Sequence, residues 1–277
     1  MMDIIQRNLF RLLRSGALGT NEQLEAMSAF KWDCLYQLAV MHDVIPYAYE
    51  GMQHCSNQFF FHLTEKQKGT WRDAVTKSRQ EHQDMDEEED EFLRPDHLTN
   101  PVLNHQLQNI LDDENSDTAT RHLLLLIISI VRHILNEGMP IRQLLELGIH
   151  LRKMGSKIDF VTLKKWTDSL HLTQMCQLEG QFLMLLYDFQ DHELPFMKDK
   201  KDQRIERIAQ ELLEFTNTRS HDWYFSQAED SIFVHNSNTS AMFSHVRRSA
   251  RYFRYYPSES LTNFFASFIH SLSHIEE

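Results

Sequence analysis

The stretch Arg121–Leu151, RHLLLLIISIVRHILNEGMPIRQLLELGIHL, admits one local solution, two helices joined at a sharp corner. From Leu123 to Leu135 only Ser129, Arg132 and His133 interrupt an apolar run. That run is shorter and more polar at its end than the roughly 20 apolar residues needed to cross a bilayer, so it reads as a buried core helix. Gly138 offers the left-handed residue that closes one helix, and Pro140 the first-turn residue that opens the next.

Elsewhere the chain is short of turn formers. Eight Gly and six Pro in 277 residues cannot punctuate many short strands, whereas long Leu- and Gln-rich runs suit helices. The predicted fold class is therefore all-α, a multi-helix bundle with helical hairpins. Only Asp230–His235, DSIFVH, has a strand-like pattern. Cys34, Cys55 and Cys176 are odd in number and far apart, which argues against a disulfide framework or a zinc knuckle and for a reducing, cytoplasmic setting. The N-terminal MMDIIQRNLFRLLRSG lacks the apolar run and cleavage site of a signal peptide and reads as an amphipathic first helix.

Charge divides the chain. Residues 81–117 hold thirteen acids against one base, Arg94, a balance of −12 that equals the net charge of the whole protein. The expected organisation is an N-terminal helical part (1–80) and a C-terminal helical domain (118–277) joined by an acidic, linker-like segment (81–117). Seven acids in the eight positions Asp84–Glu91 repel one another in a compact fold and favour a solvated segment. The run lacks the alternating ligands and turn glycine of a calcium loop.

Several helix boundaries are legible. Thr20 and Gln23 have capping-box spacing, Trp32, Leu35, Leu38 and Ala39 recur at helical intervals, and Pro46 opens a further helix. A longer helix is expected from about Asn57 through Arg79, burying Phe59, Phe60 and Leu63. Asp159 and Thr173 read as caps. Leu178, Phe182, Leu185 and Phe189 form one apolar stripe, and Ile205, Ile208, Leu212 and Phe215 another. Residues 217–239, with Trp223, Tyr224 and Phe225, exceed ordinary connection length. Ser240 caps a basic helix that Pro257 ends, and an amphipathic helix follows from Leu261.

Two groups of side chains are candidate sites. His122, Ser129, Arg132, His133 and Asn136 fall on one stripe of an otherwise apolar helix, with Arg142 opening the next; this is either an anion pocket or a polar seam satisfied by hydrogen bonds. His122 and His133 do not have the i, i+4 spacing of a helical metal pair. The segment His245–Tyr256 interleaves Arg247, Arg248, Arg251 and Arg254 with aromatics such as Tyr252, a composition suited to phosphate contact and base stacking, while Val246, Ala250 and Phe253 are spaced as a core stripe. One short patch on an otherwise neutral body attracts nucleic acid weakly.

The words FRLLRSG (Phe10–Gly16), WDCLYQLAVMHDVIPYAYEGM (Trp32–Met52), RHILNEGMPIRQLLELGIHL, IDFVTLKKWTDSLHL, LPFMKDK and RRSARYFRYYPSESL resemble the helical flanks of an uncharacterised bacterial nucleotidyltransferase family within the DNA polymerase beta-like superfamily. The resemblance covers residues 1–80 and about 118–277. It implies a mixed sheet between the flanks, carrying carboxylates that hold Mg2+ and a nucleoside triphosphate. Between Arg79 and Thr118 there is no Gly and no alternating strand pattern, so that sheet is missing. Asp84 and Asp86 form a formal Asp-x-Asp without the strand and turn it requires. The expectation is a non-catalytic, nucleotidyltransferase-like helical protein, needing no cofactor, that acts through protein-protein contact with itself or a sheet-containing family member and not with a membrane. The alternatives are a degenerate metal-dependent nucleotidyltransferase using Asp84 and Asp86, and nucleic-acid binding through the C-terminal Arg/aromatic helix.

Overall fold

The computed structural model describes residues 2–59, 61–84, 93–114, 116–197, 204–213 and 252–273. Among these the protein is all-α, with no strand. The strand-like Asp230–His235, the aromatic cluster Trp223–Phe225, Phe215 at the end of the stripe that starts at Ile205, the cap Ser240, Val246, Ala250, and Arg247, Arg248 and Arg251 lie outside the described residues, as do Phe60 and Asp86.

Helix α1 (Ile4–Leu18) opens with a reciprocal capping box between Asp3 and Gln6 and ends at Gly19, whose φ of 69° is the left-handed cap. Thr20 does not start a second helix. Residues 19–28 instead run as a strap along α1, because their polar groups find better partners there than in a helical turn. Arg14 forks onto Glu22 at 2.7 and 2.8 Å, and Arg7 does the same to Glu25. Asn8 brackets the Glu25 backbone on both sides, and Gln58 takes the Leu24 N–H and the Glu22 carbonyl. Tertiary hydrogen bonds have outbid local propensity.

Helix α2 (Ala29–Met41), capped by Ser28, buries the expected Trp32, Leu35, Leu38 and Ala39. Helix α3 (Ile45–His54) carries Pro46 in its first turn and crosses α1 backbone to backbone. A Cβ on Gly51 would sit 2.0 Å from the Leu12 carbonyl oxygen, and one on Gly16 2.1 Å from that of Tyr47. Helix α4 spans Glu65–Asp84, later than the expected start near Asn57. Its start is set by a Thr64/Gln67 capping box, and it buries Trp71 and Val75, whereas Phe59 is 80% exposed. Helix α5 (Pro101–Leu111) forms within the acidic segment, with Asn100 as N-cap and Leu103 and Leu107 buried.

The hairpin predicted from Arg121–Leu151 is α6 (Thr118–Asn136) and α7 (Ile141–Met154). Gly138 turns the corner at φ 124°, while the N–H groups of Glu137 and Gly138 both bond the His133 carbonyl. Because α6 begins at Thr118, it is longer than its apolar run suggests and passes for a membrane span by length and composition. It is nonetheless the interior helix of this bundle, with Leu123, Leu124, Ile127, Ile128, Ile130, Val131 and Ile134 fully buried. Asp159 caps α8 (Phe160–Ser169), and α9 (Thr173–Tyr187) returns against α1, α6, α7 and α8. A helical stretch over 205–213 follows, burying Ile205, Ala209, Leu212 and Leu213. The final described helix, α10 (Pro257–Ser273), begins at Pro257 itself, four residues ahead of its expected start at Leu261.

The two flanks share one core. Apolar residues from Leu9 to Tyr256 form one continuous buried cluster, α1 packs on α7 and α9, and Arg14 donates to the Leu186 carbonyl at 3.0 Å. The acidic segment thus lies between parts of one hydrophobic core, and α5 belongs to that core through Leu98, Leu103 and Leu107.

Candidate functional site

An arginine on an apolar helix must either reach water or meet a partner. Arg132 does the second. It is fully buried and donates from Nη1 to Glu259 Oε1 at 2.9 Å and to Asn263 Oδ1 at 3.2 Å, both on α10. Glu259 is equally buried and its carboxylate is saturated. Besides Arg132, Oε1 accepts from the Thr99 N–H at 2.7 Å and its hydroxyl at 2.9 Å, and Oε2 accepts from the Asn100 N–H at 3.0 Å. These backbone donors stand at the N-terminus of α5, where the helix dipole favours a negative charge. One turn along, Asn263 and Asn136 exchange amide hydrogen bonds at 2.9 and 3.4 Å, and Asn136 also donates to the Arg132 carbonyl. Thr99 and Thr262 hydroxyls close the network at 2.8 Å.

This network turns α10 inside out. Its buried face is Glu259, Ser260 and Asn263, while Leu261 (49% exposed), Phe265 (54%), Phe268 (37%) and Ile269 (65%) point outward. A helix placed by hydrophobic burial alone would be rotated the other way. Rotation would withdraw Glu259 from a buried arginine, and removing one partner from such a pair costs about 3–5 kcal/mol. The polar lock therefore fixes the rotation that keeps the apolar stripe outside. Beside it, Tyr256 donates to the Leu170 carbonyl at 2.9 Å, and burial, with Glu259 and Cys176 nearby, pushes its phenol well above the ordinary range.

The other stripe residues do not converge with Arg132 and Asn136. His133 lies half-buried at the corner, its Nδ1 donating to the Ser129 carbonyl while its Nε2 accepts from the Gln143 amide, the tautomer that satisfies both nitrogens. His122 is exposed, its ring 4.7 Å from that of His150. Arg142 pairs with Asp43 and, at 2.9 Å, with Glu146. The stripe is thus split among three neighbourhoods, and the anion that Arg132 meets is the chain's own Glu259. In the C-terminal patch Tyr252 is buried and Arg254 exposed over the Tyr255 ring. Phe253, expected in a core stripe, is 49% exposed; Tyr252 and Tyr256 hold that position instead. Asp84 is the last residue of α4. Among the described residues no three His, Cys, Asp or Glu side chains gather as metal ligands would.

Sequence reasoning missed Glu259, Asn263, Thr99 and Asn100. The available signal was Arg132 itself, since a buried guanidinium calls for an acid and Glu259 is the sole Asp or Glu between Pro257 and Ser273.

Two further buried groups give opposite pH dependences. His42, after α2, has no partner for Nε2 among the described residues, and burial pulls it down to about 4. The unfolded chain then binds more protons between that value and 6.5, so stability is complete above pH 6.5 and falls with pH, by about 3 kcal/mol in all. Glu179, in the middle of α9, is fully buried with neither carboxylate oxygen bonded among the described residues, and burial pushes it well above 4.5. The folded chain here keeps a proton that the unfolded chain releases, so stability falls as pH rises from 4.5. Each slope is about 1.4 kcal/mol per pH unit, and they cancel where they overlap. Urea unfolding from pH 5 to 8.5 should show Glu179→Gln gaining on the parent as pH rises; a difference that does not change with pH would mean that Glu179 titrates alike in the folded and the unfolded chain.

Comparison with known proteins returned no matching family model, no similar curated protein and no similar solved structure.

Proposed function

We propose that this chain is a non-catalytic helical protein of the cytoplasm that works by protein-protein contact, with the outward stripe of α10 as its contact surface. The observation that carries this reading is the lock itself. A buried ion pair and an amide pair hold four large apolar side chains in water, an arrangement that costs stability unless a partner covers them. Isolated exposed residues such as Val102 and Val161 carry no such implication. The reduced state of Cys34, Cys55 and Cys176 accords with the cytoplasmic setting. The resemblance of both flanks to nucleotidyltransferase helices suggests descent from such an enzyme after loss of its sheet.

The test places the photo-crosslinker p-benzoylphenylalanine at position 265 and, as control, at position 161. A discrete crosslinked product from position 265 alone is the expected result; equal or absent crosslinking at both positions removes the reading. The alternative, a metal-dependent nucleotidyltransferase relying on Asp84 and Asp86, requires nucleoside triphosphate with Mg2+ to stabilise the chain. At 100 times its dissociation constant a ligand adds about 2.7 kcal/mol. A melting shift of that size, lost in Asp84→Asn/Asp86→Asn, would establish the enzyme instead.

A further inference from the structure

We infer that one face of α1, together with Gln58, is a docking site for an extended acidic segment of a partner protein, occupied in the free chain by its own residues 22–25. The face is remote in sequence from the α10 stripe, and its test does not depend on that stripe.

Arg7, Arg11 and Arg14 recur at helical spacing on α1. Two carboxylates of the strap answer them. Arg7 forks onto Glu25 at 2.8 and 2.7 Å, Arg11 adds a contact to Glu25 at 2.9 Å, and Arg14 forks onto Glu22 at 2.7 and 2.8 Å. Arg7, helped by Arg11, holds the Glu25 carboxyl down to about 2, so it is ionised throughout the physiological range. Guanidinium forks select carboxylate or phosphate, and by themselves do not choose between a peptide and a nucleic acid.

The side-chain amides make that choice. Asn8, fully buried, donates to the Glu25 carbonyl and accepts from the Glu25 N–H, both at 2.9 Å. Gln58 accepts from the Leu24 N–H at 2.9 Å and donates to the Glu22 carbonyl at 2.6 Å. A helix uses these backbone groups internally, an extended segment leaves them open, and a sugar-phosphate backbone has no such pair. The face therefore reads an extended Glu-x-x-Glu, here Glu22-Gln23-Leu24-Glu25.

The means by which the strap is held also let it leave. None of residues 19–28 is buried, Leu24 and Met27 rest half-buried on the core, and the paired side chains are 14–36% exposed. Exposed ion pairs contribute little each and are screened by salt. Such a segment opens locally far more often than the core does. Opening uncovers a prepared surface, since Asn8 is packed into α1 and Arg14 is tied to the Leu186 carbonyl. A partner segment of the same chemistry then competes with the tethered strap, which sets the threshold for binding.

The probe is a fluorescein-labelled peptide copying Thr20–Met27, with a version carrying Gln in place of both Glu as control, each titrated with the full chain by anisotropy at low salt. The Glu22→Gln/Glu25→Gln chain, whose own strap is loosened, should bind the acidic probe about tenfold more tightly than the parent does. Adding Arg7→Gln/Arg11→Gln should abolish that binding. All four side chains are partly exposed, and thermal melts verify that each variant is folded. In the parent, saturating probe should speed exchange of the Leu24 and Glu25 amides, the two that Gln58 and Asn8 hold. Absence of binding to the loosened chain, equal binding to both chains, binding of the control, or amide exchange indifferent to bound probe overturns the proposal. So does an oligothymidylate that binds the loosened chain through Arg7 and Arg11 without regard to Asn8→Ala, which would make the face a nucleic-acid site. Sedimentation showing a parent dimer dispersed by excess probe would also overturn it, because the occupant would then be the strap of a second copy.

Discussion

Replacing Glu259 by Ala should cost about 3–5 kcal/mol of folding stability, on the order of 10 °C in melting temperature. The magnitude follows from what stays behind. Arg132 would remain fully buried with its counter-charge gone, and the N–H groups of Thr99 and Asn100 would lose their acceptor in the same stroke. Glu259→Gln should lie between. Its carbonyl oxygen can replace Oε1 toward Arg132 and Thr99, but its amide nitrogen would then face the Asn100 N–H, donor against donor.

The pair as a whole need not be strongly stabilising, since two buried charges give up much of their attraction in desolvation. Replacing both, Arg132→Met with Glu259→Leu, should therefore recover most of the loss, with a coupling of more than about 2 kcal/mol in a double-mutant cycle. Urea unfolding measures the cycle, and amide exchange at Thr99 and Asn100 provides the local readout, because those protons should exchange faster in Glu259→Ala before global unfolding. A loss below about 1 kcal/mol in the single variant would mean that the lock does not place α10. A double variant that restores stability but merges the Thr99 and Asn100 exchange rates with solvent-exposed amides would separate the energetic from the positioning role of the carboxylate.

The legibility of the fold in the sequence follows the range of the interactions. Gly138, Pro140 and Asp159 act on residues within one turn of themselves, and the α6–α7 corner and the α8 cap are readable for that reason. The strap at 19–28 was not, because Arg7, Arg14, Asn8 and Gln58 reach it from 8 to 36 positions away and override a capping pattern at Thr20. The apolar pattern places Phe59 in the core, whereas the Thr64/Gln67 box starts α4 beyond it and leaves Phe59 exposed. The direction of α10 was the least legible feature. An amphipathic pattern specifies two faces without saying which is inward, and here a partner 127 positions away decides.

Gly51→Val should be comparably damaging through geometry alone. Residue 51 sits where α3 meets α1, and even the first atom of a side chain there would lie 2.0 Å from the Leu12 carbonyl oxygen and 2.7 Å from its carbon. Both are backbone atoms inside a helix, so no rotamer change relieves the overlap, and α1 and α3 must separate. Separation then undoes what close approach permits, for on the same seam a Cβ added to Gly16 would lie 2.1 Å from the Tyr47 carbonyl oxygen and 2.6 Å from the Gly51 amide nitrogen. Leu9, Leu12, Leu13, Ala48 and Met52, all buried, would lose contact across the widened gap. A loss of at least about 3 kcal/mol is expected, at the upper end for overpacking. Gly69→Val in α4, where an added Cβ meets nothing within 4 Å, is the matched control, since it carries the same β-branched residue into an open helix position. Valine is the better helix former of the two, so Gly69→Val should be neutral or slightly stabilising. Thermal melts of the two variants side by side decide the matter: similar melting temperatures would mean that the α1–α3 crossing tolerates a wider spacing, whereas a gap on the order of 10 °C would identify Gly51 as the position that sets it.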